Sequence, residues 1–358
     1  MLRVVRHLGA VALLCALPGL AQAQPSPPVT LEVGYMPILP VAQLFVMEGE
    51  GWTDEAGLEL ELTRFSSGPA MVQALASGEL DVMYFGIGPA MVARANGVPI
   101  KVLAASIREQ IGLVARGELA DAFARAADPA EAIARFTEEQ GRKPQIATFP
   151  RGSVPDTVLR YWLVERLDVG EEAVEIVAMG ADRVQQALLA GAVDAASILE
   201  PILTTVQERV DGARVVARAD EMLPGQPGAV LAAREQVLEA HPEAMRTLMA
   251  LHVRATAMLL EEPDRAAPHV REFVGKRLIK LDTVTTALRS PSSNYLADPH
   301  AILEATRTMH DFQMAQGTLE TPVDLEALFD TTLYDAVVGE QAGDEETAEH
   351  AAGEPSNS

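Results

Sequence analysis

Two stretches of this 358-residue chain repeat one another, and that repetition limits the possible folds more than any other feature. MVQALASGELDVMYFGIGP, beginning at Met71, lies over VQQALLAGAVDAASILEP, beginning at Val184. With Gly78 set on Gly191, the residues Gln73, Ala74, Leu75 and Asp81 fall on Gln186, Ala187, Leu188 and Asp194, while Pro89 and Pro201 miss register by one position. Each copy reads as a helix, a glycine turn, a strand and a proline-started helix. Two lobes built alike are therefore expected.

The surrounding pattern agrees. VTLEVGYM, LELELTRF, LDVMYF and PIKVLAAS read as strands, and Val41 to Glu50, Pro69 to Ala76 and Pro89 to Asn96 as the helices between them. A second series follows: QIATF, a helix over Val154 to Leu167, AVEIVAM, a helix over Ala181 to Leu189, and AVDAASIL before Pro201. Strands alternating with helices predict βαβ units, mainly parallel sheets and an α/β class. The first lobe is expected to hold residues 29–113 and a return over 218–338, and the second residues 114–217. Residues 24–28 read as a linker, and 339–358, acidic and poor in apolar side chains, as a disordered tail.

Residues 1–23 read as a signal peptide, with Arg3, Arg6 and His7 before an apolar Leu8–Leu20 and a small-x-small end at Ala21-Gln22-Ala23. The only cysteine, Cys15, lies inside that leader behind Leu14, which is not the small residue a lipoprotein site needs. A soluble periplasmic product without disulfides or thiolate chemistry is expected, and no later segment has the apolar length of a span. Net charge is −23, or −25 once Arg3 and Arg6 leave with the leader. That argues against nucleic acid and anionic membranes as partners. A small anion is still admissible, since surface charge is screened beyond roughly 8 Å at physiological salt.

In a βαβ series, strands hand over to helices at one rim, where unpaired N–H groups and positive dipole ends collect into an anion cradle. Four handovers carry suitable residues: Gly34-Tyr35-Met36-Pro37, Ser66-Ser67-Gly68-Pro69, Gly86-Ile87-Gly88-Pro89 and Pro150-Arg151-Gly152-Ser153. Gly86 and Gly88 open a G-x-G-x-x-G pattern that fails at Met91, so a dinucleotide loop is not supported. They read instead as places where backbone must approach a ligand, with Pro89 starting the next helix. Ser66 or Ser67 is a candidate helix cap, and Ser153 with Asp156 approximates a capping box. A ligand cleft between the lobes follows.

GYMPILPVAQLFVMEGEGWTDEAGLELELTRFSSGPAMVQALASGELDVMYFGIGP resembles the start of substrate-binding proteins of the nitrate, sulfonate and taurine class of ABC importers. The strongest elements are GWTDEAGL from Gly51, the Ser-Gly-Pro turn and ASGELD, and the likeness continues through PRGSVPDTVLRYWL and AGAVDAASILEPIL. The resemblance implies a two-lobed periplasmic-binding-protein fold of type II, its lobes joined by crossing strands and closing on a solute. It also implies an inner-membrane permease and its ATPase as partners, with the binding protein a monomer. By resemblance Tyr35, Met36, Gln43, Ser67, Tyr84, Gly86, Arg151, Ser153 and Glu200 line the cleft. The turns add Pro37, Ser66, Gly68, Gly88 and Gly152. Sulfonate binders often show Gly-Asp-Thr-Pro where this chain has Gly86-Ile87-Gly88-Pro89, and Met36, Met83, Tyr84 and Ile87 make the site apolar. The expected solute is a small organic anion or zwitterion, its acidic end on Arg151 and any amino group on Glu200.

Catalysis finds little support. There is no G-x-S-x-G, and His241, His252, His269, His300 and His310 lack metal-ligand spacing. Thiamine-pyrimidine synthase relatives, a competing class beside binders of an aminopyrimidine or other heterocycle, use a Cys-rich motif and a cofactor lysine. A mature chain without cysteine and with only Lys101, Lys143, Lys276 and Lys280 offers little for that chemistry. No cofactor, metal or enzymatic activity is expected.

Overall fold

The computed structural model describes the backbone of residues 27–352 and the side chains of 27–343; the leader expected over 1–23 lies outside the described residues. Ten strands make two sheets of five. They are β1 (Val29–Tyr35), β2 (Leu58–Arg64), β3 (Val82–Gly86), β4 (Ile100–Ala105), β5 (Gly112–Ala115), β6 (Gln145–Thr148), β7 (Glu175–Ala178), β8 (Ala195–Ile198), β9 (Arg214–Ala217) and β10 (Ala229–Arg234). The first sheet runs β2-β1-β3-β10-β4 and the second β9-β5-β8-β6-β7.

The sheets are built alike. In the first, β1 is parallel to β2 and β3, and β10 is antiparallel to β3 and β4. In the second, β6 is parallel to β7 and β8, and β5 is antiparallel to β8 and β9. Each sheet's one reversed strand is the one that arrives from the other sheet, so β5 and β10 are the crossings between the lobes. Gly112 and Leu113, placed on the first-lobe side of the sequence boundary, already pair in the second sheet.

Burial explains the strand patterns. β3 and β10 are covered on both faces and read as apolar runs, whereas the edge strand β2, LELELTR, alternates and exposes its glutamates. Helices α1 (Ala42–Gly49), α2 (Gly68–Ser77) and α3 (Ile87–Ala95) follow the first three strands, and α4 (Val154–Tyr161), α5 (Ala181–Ala190) and α6 (Ile202–Arg209) follow β6, β7 and β8. Past Tyr161 the chain continues as a π-helical turn over Trp162–Arg166, where the periodicity had implied one regular helix. The polar segment 117–142 forms two helices, Gly117–Arg125 and Pro129–Gln140.

The return segment covers the first sheet. Its longest buried helix, α7 (Pro242–Glu261), places His252 against Tyr84 and the end of β4. Further on, α8 (Leu303–Ala315) reaches the second lobe, where Gln313 Nε2 donates to Thr157 Oγ1 at 2.9 Å. The last helix, α9, spans Thr332–Ala352. The stretch from 339 expected to be disordered is therefore helical through Ala352: Ala and Glu are strong helix formers, and Val337 is buried just ahead of it.

Candidate functional site

The handovers converge on the seam between the lobes. Ser67 caps α2, its Oγ accepting the Ala70 N–H at 3.4 Å, and Ser153 caps α4, accepting from Asp156 N–H at 3.5 Å. The return bond of a capping box is displaced by one residue: Asp156 Oδ2 accepts from Gly152 N–H at 3.2 Å, and Arg160 pairs with the same carboxylate at 2.9 Å. After β3 the helix begins at Ile87 rather than at the expected Pro89, because the fixed φ of proline fits a first turn as well as a first position.

Two glycines set how closely the lobes meet. A Cβ on Gly86 would sit 2.9 Å from Val154 Cγ2, and one on Gly88 would sit 2.6 Å from the Gly152 carbonyl oxygen, both across the seam. Within the first lobe a Cβ on Gly68 would meet Pro89 Cγ at 2.4 Å. Side chains at Gly86 and Gly88 would hold the lobes apart.

Between the lobes lie two cavities that share Met36 on their walls, an inner one at the floor of the interlobe cleft and an outer one at its mouth. The floor holds only about 20 Å³ and is bounded by Gly68, Gly86 and Pro89 from the first lobe, Phe149, Ser153 and Leu199 from the second, and Gln110 from the crossing segment. The mouth is about 730 Å³, lined by Met36, Pro37, Arg64, Phe65 and Ser66 on one side and by residues 180–183 on the other. Arg64 reaches Asp182 at 3.5 Å across it, with both side chains more than half exposed. Arg183 makes no ion pair among the described residues. The first turn of α5 also opens here behind Gly180, which faces the Ser66 carbonyl of the first lobe. Two guanidinium groups, one of them paired with Asp182, and a helix start give the mouth hydrogen-bond donors of the kind that suit an anionic group.

Of the residues singled out in the sequence, Met36, Pro37, Ser66, Gly68, Gly86 and Ser153 come together on the cleft, with Ser67, Gly88 and Gly152 beside them. The others lie elsewhere. Tyr35 packs edge-on against Phe45 and Phe273, and burial raises its phenol pKa. Gln43 is in the core, donating from Nε2 to Ser106 O at 2.7 Å and to Thr256 Oγ1 at 3.2 Å. Tyr84 is wholly buried, its hydroxyl 3.3 Å from His252 Nδ1, and burial lowers the imidazole to about 4.

Arg151 and Glu200 were expected to hold the two ends of a zwitterion, and neither lines the floor or the mouth. Arg151 donates to Gln316 O at 2.9 Å and lines another cavity between the lobes, of about 270 Å³, with Pro69, Gly317 and Thr318 and with Pro89 in common with the floor. Glu200 caps its own helix, accepting the Thr204 N–H at 3.0 Å and hydroxyl at 2.9 Å. Burial raises its carboxyl pKa, opposed by hydrogen bonds from Ser290 and Thr204. It lines a third cavity, of about 500 Å³, against residues 286–292.

Arg64, Asp182, Arg183 and Gln110 were missed by the sequence reading. A signal for two of them existed: residues 178–183, Ala-Met-Gly-Ala-Asp-Arg, form a strand-to-helix handover of the same kind as the four that were recognised.

Comparison with known proteins places this geometry. The model of the NMT1-like family matches residues 24–271. A protein of Brucella abortus (strain 2308) designated a binding protein is 26% identical over 317 residues, 87% of this chain and 92% of that one. The alkanesulfonate-binding protein SsuA of Xanthomonas axonopodis pv. citri, solved with MOPS bound, superposes with a TM-score of 0.69 at 17% identity over 86% of this chain and 100% of that one. The periplasmic nitrate-binding protein NrtA of Synechocystis PCC 6803 superposes with a TM-score of 0.72 at 14% identity, covering 87% and 89%. At such identities these two likenesses are of fold.

Proposed function

Because the chain belongs to the NMT1-like family, we propose that it is the extracytoplasmic solute-binding component of an ABC importer and carries a small organic anion or zwitterion to a permease and its ATPase. The observation that carries this reading is the cleft itself. It is an interlobe space at the strand ends, too narrow at Gly86 and Gly88 for any side chain, with Arg64 and Arg183 at its mouth. The related folds whose names include alkanesulfonate and nitrate binding support an anionic solute, and the apolar floor favours an organic one.

On this reading residues 29–111 with 218–338 form one lobe and 112–217 the other, and solute stabilises the closed arrangement by contacts made only there. The protein works in the periplasm as a monomer after loss of its leader, binds no nucleic acid and catalyses no reaction. Among the described residues no helix is long and apolar enough to cross a membrane.

A thermal-shift panel of ethanesulfonate, MOPS, taurine, propionate, nitrate and bicarbonate tests the reading. At one hundred times its Kd a true ligand adds about 2.7 kcal/mol, which raises Tm by roughly 5–10 °C. An organic anion is expected to do so. A panel in which no organic anion moves the midpoint overturns the proposal.

A further inference from the structure

The floor of the cleft contains one polar group with nothing to bond to. Gln110 is 2% exposed, and its carboxamide oxygen is fully buried without a hydrogen-bond partner. The nearby Ile111 N–H is already taken by Gln226 Oε1 at 2.8 Å, and Gln226 Nε2 is turned to Ala219 O. Behind the carboxamide the chain is tight: a Cβ on Gly228 would lie 3.0 Å from Gln110 Cδ. The cavity wall around it is otherwise apolar, from Ile38, Phe149, Val154 and Leu199, apart from the Ser153 hydroxyl. Burying a carbonyl oxygen without a donor is unfavourable, and the one side-chain hydroxyl on this wall, Ser153, makes no bond to it. Such an oxygen at the floor of a binding cleft is satisfied when a ligand brings the missing N–H or O–H.

We propose that Gln110 is the specificity-determining residue of the cleft and selects organic anions that carry a hydrogen-bond donor at the end opposite their acidic group. This inference rests on the anion-binding reading above, which places that acidic group at the Arg64 and Arg183 mouth. The size of the floor limits the donor. About 20 Å³ admits one water-sized group, so the tip is a single amino or hydroxyl function and not a ring. A chain of the same length ending in methyl fills the volume but leaves the oxygen unbonded, and the site rejects it by the asymmetry that lets polar sites discriminate against analogues lacking a donor.

Matched pairs test this: taurine and 2-hydroxyethanesulfonate against ethanesulfonate, and β-alanine against propionate, titrated calorimetrically into the mature wild-type chain, Gln110→Met and Gln110→Glu. Wild type is expected to bind the donor-bearing member at least tenfold more tightly, and Gln110→Met to erase the difference while still binding the plain anion. Gln110→Glu keeps an acceptor in place and raises the taurine-to-ethanesulfonate ratio above that of wild type. It carries the test alone if the methionine variant does not fold. Equal affinities in wild type, a preference that persists in Gln110→Met, or an unchanged ratio in Gln110→Glu overturns the role of Gln110 and leaves the anion cleft standing. If no member of any pair binds wild type, the anion-binding reading fails and this inference fails with it.

Discussion

The two lobes turn the same corner with the same parts. Gly78 ends α2 and Gly191 ends α5, both left-handed, at φ +89° and +74°, their N–H groups on the carbonyls of Ala74 and Leu75 in one lobe and of Ala187 and Leu188 in the other. Asp81 then accepts the Glu32 N–H at 3.0 Å, and Asp194 the Gln145 N–H at 2.8 Å. At the ends of the crossing strands Arg234 bonds the Leu75 carbonyl, and Arg116, just past β5, that of Leu188. At the opposite end of the same strands the likeness stops. β3 leads into Gly86-Ile87-Gly88, bare enough to meet the other lobe, and β8 into Leu199-Glu200-Pro201, whose carboxylate turns to its own helix. Repetition persists where orphaned backbone groups must be satisfied, and lapses where the lobes face each other across the cleft.

This contrast can be broken or sharpened experimentally. The largest effect is expected from pH, because the lobes bury opposite kinds of titratable group. His252, held down to about 4, leaves the folded state unprotonated while the unfolded chain takes up a proton, so stability falls as pH drops from about 6.5 to about 4. The loss is about 3 kcal/mol, and His252→Gln should flatten it in urea titrations. Glu200, its carboxyl raised by burial, binds its proton more tightly when folded; its contribution is fullest at low pH and declines as pH rises past the ordinary carboxylate range. Glu200→Gln should remove that decline and leave the acid limb unchanged. Identical pH profiles for the two variants would break the contrast.

The repeated aspartates come next. Asp81→Ala and Asp194→Ala should each cost about 2 kcal/mol, the value of a hydrogen bond to a charged group, without altering solute affinity. Asp194 should cost slightly more, since Arg142 grips it with two bonds of 2.6 and 2.7 Å while remaining half exposed. A negligible cost at either position in chemical denaturation would show that the corners are alike in shape only. For Gly78→Ala and Gly191→Ala about 1–2 kcal/mol is expected from the left-handed backbone. The cost should be higher at Gly191, where a Cβ would lie 3.0 Å from Arg116 Nη1. The smallest stability change, under about 1 kcal/mol, belongs to Arg64→Ala, whose pair with Asp182 is solvated. Its solute affinity should nevertheless fall at least tenfold, and a fall in stability without one would count against the mouth as the anion site.

Much of the scaffold was legible because local chemistry dictates it. A left-handed glycine, an aspartate ahead of a strand and an apolar run each serve neighbours close in sequence or in the adjacent strand, so the duplication and the α/β alternation could be read directly. The glycines of the seam were legible for the same reason: their missing side chains are visible in the sequence whatever faces them. Arg64 and Gln110 were not. Arg64 ends an alternating edge strand and looks like any solvated arginine, Gln110 lies in a crossing segment without periodicity, and only the packing of distant turns brings both to one space. Arg151 and Glu200 show the converse, being charges at promising handovers that tertiary contacts with Gln316 and Thr204 draw away from the floor and mouth of the cleft.

Calorimetry on Gly86→Val tests the central claim most directly, because that side chain would occupy the space now filled by Val154 across the seam. With the organic anion that wild type binds most tightly in the panel, the variant should keep its unfolding midpoint within a few degrees and lose at least a hundredfold in affinity. Equal affinity in the two proteins would mean that solute is not held between the lobes.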